Sequence, residues 1–145
     1  LLRSYTPNHR ALAVVNDVGV PPHALRPFTE HAETVFHRHG LRAPIYGHAG
    51  DGNLHLRPLF DLRDPRLRHT VESVAREIYQ AVIEHGGTIT AEHGIGRQRA
   101  PFLEAEWGSE AHELMRRLKR SFDPEYLLNP EAMFPSHELG EHLDL

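Results

Sequence analysis

Apolar residues along the chain form short β-type runs that alternate with stretches of helical spacing. The run over residues 11–20 (ALAVVNDVGV) is apolar and largely β-branched, which predicts a buried strand ending at Pro21-Pro22. From there to about His39, apolar residues recur every three to four positions and predict a helix that Gly40 ends. The apolar face of this helix comprises Ala24, Phe28, Ala32, Val35 and Phe36.

The middle of the chain predicts a hairpin and a second helix. Residues 44–48 and 54–60 are expected to form two strands joined by the turn at residues 50–52 (GDG). Asp64 and Pro65 are expected to be the N-cap and first residue of a helix that runs to His85. Its apolar face is predicted from Leu67, Val71, Val74, Ile78, Val82 and Ile83, and the glycine pair after His85 ends it.

The last third predicts one more strand and one more helix. Residues 88–90 are expected to form a short strand, and Ser109 is expected to start a helix that ends before Asp123-Pro124. Leu114, Met115 and Leu118 are predicted to face inward from this helix. A turn at residues 127–130 and a frayed tail at residues 136–145 follow. The repeated strand–helix–strand order favours an α+β, ferredoxin-like fold, an antiparallel sheet with helices packed on one face.

Composition narrows the classes of function. A chain of 145 residues with a net charge of −4 and no basic stripe argues for one domain and against a nucleic-acid partner. It has no cysteine, which excludes disulfides, Cys-type zinc sites and an iron–sulfur cluster within this chain. No secretory signal or long apolar run is present, so we expect a cytoplasmic protein. Because the chain starts without methionine and soon enters a strand, we also expect a piece of a longer polypeptide.

Candidate chemistry is concentrated in two glycine-rich islands, residues 47–55 (GHAGDGNLH) and 91–96 (AEHGIG). Most of the 13 histidines lie in polar or helical surroundings and are interpreted as surface residues. In the first island, His48 and His55 flank a tight turn, and Glu92 follows another strand of the same predicted sheet. Two imidazoles and a carboxylate leave coordination positions open for substrate, so the pattern predicts a catalytic divalent-metal site.

Other residues of the islands suggest further roles. Neighbours in extended backbone point to opposite sides, so His93 is expected to act as a general base rather than as a further ligand. Arg57 lies on the same strand face as His55 and would suit a substrate carboxylate, the alternative being a solvated arginine. Asn53 is a weaker candidate for a substrate contact, and Asp51 is interpreted as a turn residue.

Three motifs together resemble a known family. The two islands and residues 123–130 (DPEYLLNP) are similar to signature stretches of the FAD-linked oxidase C-terminal domain, and residues 16–21 (NDVGVP) also fit. That domain is the cap of D-lactate, D-2-hydroxyglutarate and glycolate-oxidase-type flavoproteins in the vanillyl-alcohol oxidase group. The resemblance implies that residues 1–145 are a partial cap, whose FAD is bound mainly by an absent N-terminal domain of the same polypeptide.

The resemblance also implies roles for individual residues. His48, His55 and Glu92 would hold a divalent metal, zinc first, with manganese and iron as competitors. His93 would take the hydroxyl proton of a small 2-hydroxy acid as hydride passes from C2 to the flavin. Asn129 belongs to a segment that approaches the flavin in the family.

The chain departs from the family pattern in ways that concern the substrate. Arg57 stands where metal-dependent 2-hydroxyglutarate enzymes carry asparagine. Arg57-Pro58 looks more like the branch fused to iron–sulfur domains, which implies an iron–sulfur electron acceptor and a peripheral membrane location through it. Val15 stands where some members of the family carry a lysine. The candidates for the family's substrate-binding arginine are Arg3 and Arg10, both of them weak.

Three hypotheses follow from the sequence. The favoured one is the cap of an FAD-dependent 2-hydroxy acid dehydrogenase or oxidase, inactive as an isolated fragment because the redox cofactor lies elsewhere. The second is a metal-dependent hydrolase in which His93 activates water. The third is a non-catalytic binding or assembly module.

Overall fold

The computed structural model describes residues 8–134, and these residues fold into strands, helices and 3₁₀ turns. The strands are β1 (His9–Ala11), β2 (Asn16–Gly19), β3 (Ile45–Tyr46), β4 (Asn53–Leu56) and β5 (Leu59–Asp61). The helices are α1 (Leu25–Arg38), α2 (Leu67–Glu84), α3 (Gly96–Arg99) and α4 (Leu103–Phe122). Short 3₁₀ turns lie at Pro22–Ala24, Ala49–Asp51 and Ala100–Phe102.

The central sheet has the order β2-β4-β3, with all neighbours antiparallel. Thr88 extends it on the β2 side, because the backbones of Thr88 and Gly19 exchange hydrogen bonds of 3.0 and 2.8 Å. With α1 between β2 and β3, and α2 between β4 and Thr88, the chain follows the ferredoxin-like order of elements. The expected α+β class is confirmed, and so is the hairpin of β3 and β4.

Three strand predictions need correction. Residues 11–20 do not form one strand: β1 ends at Ala11 and pairs with β5 in a separate two-stranded sheet, and β2 begins only at Asn16. The strand predicted over residues 54–60 is likewise divided into β4 and β5, around Pro58, whose nitrogen carries no hydrogen to donate. Residues 88–90 contribute a single bridge at Thr88 rather than a strand.

The core lies between the central sheet and the helices α1 and α2. Phe28, Val35, Ile78 and Tyr79 are fully buried there. The Tyr79 hydroxyl donates to the carbonyl oxygen of Val14 at 2.6 Å, so the one polar atom of this buried ring has a partner. Burial raises the pKa of Tyr79 to about 12, which keeps the phenol neutral.

Two helix starts differ from the prediction. Helix α2 begins at Leu67 and not at Pro65, although the Asp64 side chain accepts the Arg66 N–H at 2.8 Å, the hydrogen bond expected of an N-cap residue. Helix α4 begins at Leu103 and is interrupted by Gly108, whose backbone is non-helical at φ 79° and ψ 162°. The predicted start at Ser109 therefore corresponds to the second of two helical segments.

The second segment of α4 does not face the core as predicted. Leu114 and Leu118 are 64% and 59% exposed, and only Met115 is partly buried. These apolar residues do share one side of the helix, but it borders an open groove with residues 126–134 instead of the core. No helix of the described part is long and apolar enough to cross a membrane. Arg3 and the predicted frayed tail at residues 136–145 lie outside the described residues.

Candidate functional site

Both glycine-rich islands meet at the end of the central sheet. His55 lies on the middle strand β4, where it pairs with Asn16 of β2 on one side and Tyr46 of β3 on the other. Its side chain is only 11% exposed, and Glu92 and His93 from the loop of residues 90–94 lie against it. The sheet thus places one imidazole in a fixed position and brings the second island to it.

The polar atoms of His55, Glu92 and His93 converge. Nε2 of His55 lies 3.1 Å from Oε1 of Glu92, and Nε2 of His93 lies 3.6 Å from the same oxygen. The two imidazole rings stack, with centroids 5.4 Å apart and planes inclined by 12°. Ligands at about 2.0–2.1 Å from one tetrahedral zinc lie about 3.3 Å apart. The 3.1 Å spacing of the His55 and Glu92 donors therefore fits a shared divalent cation, and His93 stands directly beside them.

His48 stands beside this group. Its ring centroid lies 6.1 Å from that of His55, with the planes at 79°, and its side chain is exposed. The set of possible ligand atoms within 4.8 Å of one another consists of Asp17, His55, Glu92 and His93. Of the predicted ligands, the structure brings His55 and Glu92 together and leaves His48 at the rim.

Asp17 organises the second island, although it was not among the predicted site residues. Its fully buried carboxylate accepts hydrogen bonds from the Thr90 hydroxyl and from the backbone N–H groups of Ala91, Glu92 and His93, at 2.8–3.2 Å. Burial raises the pKa of Asp17, but the hydrogen bonds from His93, Glu92 and Thr90 outweigh it and hold the pKa below its ordinary value. A charged residue inside the apolar run of residues 11–20 was the signal that could have identified it.

Arg99 is a second organising residue that was not predicted from the sequence. It is buried, and its guanidinium donates to the carbonyl oxygen of Gly94 at 2.9 Å and to that of Asn16. One of its nitrogens lies 4.0 Å from Oδ2 of Asp17. Nothing in the sequence separates Arg99 from the neighbouring exposed Arg97, because both belong to the same polar segment.

Two asparagines complete the inner side of the site. Asn53 is buried, and its side-chain NH₂ group donates a hydrogen bond of 3.2 Å to Oδ1 of Asp17. The Asn16 amide nitrogen lies 3.4 Å from Nδ1 of His93, which leaves Nε2 on the Glu92 side. Within residues 8–134, four buried side-chain atoms have no hydrogen-bond partner, and all belong to residues of this region: Asn16 Oδ1, Asn53 Oδ1, His55 Nδ1 and Arg99 Nε.

The predicted arginine Arg57 lies on the open side of the site. Its Nε is 3.4 Å from the hydroxyl of Tyr46, whose ring is 5.2 Å from the ring of His55. Tyr46 is 51% exposed and had not been predicted as a site residue. Arg10, the other described candidate, is exposed on β1 in the separate sheet.

The third motif forms a turn that Asp123 and Lys119 hold together. Asp123 accepts the N–H groups of Leu127 and Leu128 at 2.8 and 2.9 Å, and Lys119 donates to both Asp123 and the Leu128 carbonyl oxygen. Asn129 has a left-handed backbone (φ 47°) and lines an apolar groove of about 340 Å³ along α4. Arg97 ties this turn to the end of the second island through the Pro130 carbonyl oxygen at 3.3 Å.

Comparison with known proteins gives a consistent set of relatives. The family described as FAD linked oxidases, C-terminal domain, matches residues 2–133. The glycolate oxidase subunit GlcD of Bacillus subtilis is 37% identical over 121 residues, which are 83% of this chain and 26% of that protein. The mitochondrial D-lactate dehydrogenase (cytochrome) of Arabidopsis thaliana is 32% identical over 131 residues, 90% of this chain and 23% of that protein.

A further sequence relative and a solved structure agree with this assignment. The D-2-hydroxyglutarate dehydrogenase of Pantoea ananatis is 32% identical over 121 residues, 83% of this chain but 12% of that protein. The 4-ethylphenol oxidase of Gulosibacter chungangensis superposes with a TM-score of 0.63 at 21% identity, covering 90% of this chain and 26% of that one. The chain thus spans about a quarter or less of the length of these relatives.

Proposed function

Because the chain belongs to the FAD-linked oxidase C-terminal domain family, we propose that it is the substrate-side cap of an FAD-dependent 2-hydroxy acid dehydrogenase or oxidase. The observation that carries the proposal is the convergence of His55, Glu92 and His93 on one point at 3.1 and 3.6 Å. Residues 1–145 would be part of the cap domain, and FAD would be bound mainly by an N-terminal domain of the same polypeptide. The names of the relatives point to small 2-hydroxy acids as substrates.

The metal-binding role is proposed for His48, His55 and Glu92. The donor set of two imidazoles and one carboxylate suits zinc and leaves open positions. The 3.1 Å distance between Nε2 of His55 and Oε1 of Glu92 supports the site. When bound, the cation would hold the substrate oxygens and lower the pKa of the hydroxyl group, while the flavin would accept hydride from C2.

His93 is proposed to accept the hydroxyl proton of the substrate. Its Nδ1 side faces the Asn16 amide, and its Nε2 faces Glu92 and the open part of the site. The side chain is 46% exposed, so a substrate can reach the ring. An imidazole titrates near neutral pH and therefore suits this proton transfer.

Arg57 is proposed to bind the substrate carboxylate. It lies two residues after His55, beyond the end of β4, and is partly exposed next to Tyr46. Its guanidinium can give a carboxylate two parallel hydrogen bonds. Asn53 stays a weaker candidate for a substrate contact, because its side-chain NH₂ group already donates a hydrogen bond to Asp17. An iron–sulfur domain is proposed as electron acceptor on the basis of the Arg57-Pro58 resemblance.

The exposed apolar face of α4 is proposed to dock on the FAD-binding part of the same polypeptide. Leu118, Phe122 and Leu128 are 59%, 81% and 65% exposed and line one groove, and apolar residues exposed together mark interaction surfaces. The relatives are about four times as long as the part they share with this chain. In a polypeptide of that length, the remaining part would supply the docking partner. Asn129 lines the groove on this face, in keeping with a place near the flavin.

Rapid-mixing measurement of flavin reduction in the complete polypeptide tests the proposed function. D-lactate, glycolate and D-2-hydroxyglutarate serve as substrates. His93→Ala should slow reduction by about two to four orders of magnitude while flavin and zinc stay bound. His23→Ala, at an exposed position before α1, is the matched control and should react like the wild type. The proposal fails if no 2-hydroxy acid reduces the flavin, or if His93→Ala stays within about threefold of the wild type.

A further inference from the structure

We infer that Asp17 is the positioning residue of this site: its carboxylate fixes the backbone of residues 90–93 so that Glu92 and His93 face His55. The inference rests on the proposed function, because it assigns Asp17 a role in placing the residues that would bind metal and accept the proton. It adds a residue that acts on Glu92 and His93 through their backbone N–H groups, and its Oδ2 also lies 3.9 Å from Nδ1 of His93.

The hydrogen bonds to Asp17 come from consecutive residues of the loop. The Thr90 hydroxyl donates to Oδ2 at 2.9 Å, and the N–H groups of Ala91, Glu92 and His93 donate at 3.2, 3.1 and 2.8 Å. Successive N–H groups that point to one side form a concave site for an anion. The backbone of the two candidate functional residues is therefore held by one carboxylate on β2.

The backbone of Asp17 is adapted to this contact. Its φ is +79°, in the left-handed region that non-glycine residues seldom adopt. The pairing of β2 with β4 shifts register between Asn16 and Val18, so Asp17 occupies an irregularity of the strand. Such a conformation persists where the surrounding contacts determine it, and here those contacts are the donors of the loop.

The hydrogen bonds also argue that Asp17 is not itself a metal ligand. Its Oδ1 accepts from Asn53 and Glu92, and its Oδ2 accepts from Thr90 and three backbone N–H groups. A carboxylate offers about four lone-pair positions, so these donors fill its capacity. Asp17 thus acts on the site through the loop backbone.

Arg99 holds the other end of the same loop. It donates to the Gly94 carbonyl oxygen and to the Asn16 carbonyl oxygen, which precedes Asp17 in the chain. Two buried, opposite charges 4.0 Å apart therefore hold the N–H groups of residues 91–93 and the carbonyl group of residue 94. The loop is fixed relative to β2 at both ends.

Asp17→Asn in the complete polypeptide tests the inference. The amide keeps one acceptor oxygen and turns an NH₂ group toward the backbone donors. We expect zinc affinity, measured by competition with a chelator, to fall about 10- to 100-fold, because Glu92 loses its position. An unfolded fraction would lower the number of zinc sites but not the affinity of the remainder. Asp61→Asn, on β5, is the matched control and should bind zinc like the wild type.

A pair of milder variants keeps the test decisive if Asp17→Asn does not fold. Thr90→Val removes one donor to Asp17 and should weaken zinc binding, whereas Thr90→Ser keeps the hydroxyl and should restore it. Hydrogen exchange of the peptide covering residues 90–94 should accelerate about tenfold in Asp17→Asn or Thr90→Val.

The outcomes separate the inference from the proposed function. Unchanged zinc affinity and unchanged exchange of residues 90–94 in Asp17→Asn and Thr90→Val would overturn the role of Asp17. A wild type that binds no zinc and is reduced by no 2-hydroxy acid would overturn the proposed function instead. In that case, hydrogen exchange still shows whether Asp17 holds the loop.

Discussion

Gly52 lies against Val20 so closely that no side chain fits between them. Its carbonyl oxygen accepts the Val20 N–H at 2.9 Å, and a Cβ atom on Gly52 would lie 1.9 Å from the Val20 carbonyl oxygen. The φ of Gly52 is +76°, which a residue with a side chain adopts only with strain. The contact joins the turn of the first island to the end of β2.

Gly52→Ala should therefore disrupt the hairpin that carries His55. We expect a loss of about 2–4 kcal/mol in the free energy of unfolding, from the clash and the strained φ together. Gly50→Ala is the matched control in the same turn, because a Cβ atom there meets no atom within 4 Å. It should change the unfolding free energy by less than about 0.5 kcal/mol. Denaturant titration measures both, and equal stabilities would contradict the prediction.

Removal of the proposed ligands should remove the metal. The variant His48→Ala/His55→Ala is expected to contain only traces of zinc by elemental analysis, because too few ligands are left for a catalytic site. His93→Ala should keep its zinc, as a general base does, and His37→Ala on α1 is the exposed control. Equal metal in the double variant and the wild type would refute the site. Loss of zinc from His93→Ala but not from His48→Ala would instead make His93 the third ligand.

Asp123 should stabilise the turn of the third motif in a pH-dependent way. Its hydrogen bond from Lys119 outweighs burial and, with the N–H groups of Leu128 and Leu127, holds the pKa of its carboxyl below the ordinary 3.8. Because the folded-state pKa is lowered, the stabilisation is complete above about pH 4 and is lost as the pH falls through the folded value. Asp123→Asn should thus destabilise the protein at pH 7, and its difference from the wild type should shrink in acid.

The matched control for Asp123 is Glu125→Gln, an exposed carboxylate on the same turn. Its unfolding free energy should follow that of the wild type at every pH. A difference between Asp123→Asn and the wild type that stays constant from pH 7 into acid would contradict the assigned role of the ionised carboxylate.

The apolar face of α4 should make the separate chain self-associate. Sedimentation of the wild-type chain should show dimers or larger species, and Leu114→Asp/Leu118→Asp should shift it to monomer, because both side chains are exposed. In the complete polypeptide, the same double variant should weaken flavin retention. A monomeric wild-type chain, together with full flavin retention in the double variant, would contradict docking through this face.

Much of the fold was accessible from the sequence because its signals are local. The spacing of apolar residues predicted α1 and α2, and the glycine turn predicted the hairpin of β3 and β4. The same spacing could not show that Leu118 is exposed, since amphipathicity marks an apolar face without showing what covers it. Nor could a run of β-branched residues reveal that β1 and β2 belong to different sheets, which depends on pairing partners far along the chain.

The candidate site was accessible only in part, for the same reason. His55, Glu92 and His93 could be selected because their types and neighbouring glycines are visible in the sequence. The roles of Asp17 and Arg99 are set by contacts with backbone 76 and 83 residues away, such as His93 N–H and the Asn16 carbonyl oxygen. Backbone groups carry no sequence signal, so the charge of Asp17 inside an apolar run was the one indication available, and Arg99 offered none.

The separation in sequence of the parts that meet at Asp17 also bears on how the protein reaches its native state. Contacts across about 75 residues are formed against a large loop-closure entropy and tend to appear late in folding. A refolding chain would thus have its hairpin before the loop of residues 90–94 is fixed to β2. Cations present during refolding would then meet only His48 and His55 in the early hairpin. Cation binding would be completed only when the loop of residues 90–94 is fixed to β2, and it would not accelerate formation of the hairpin.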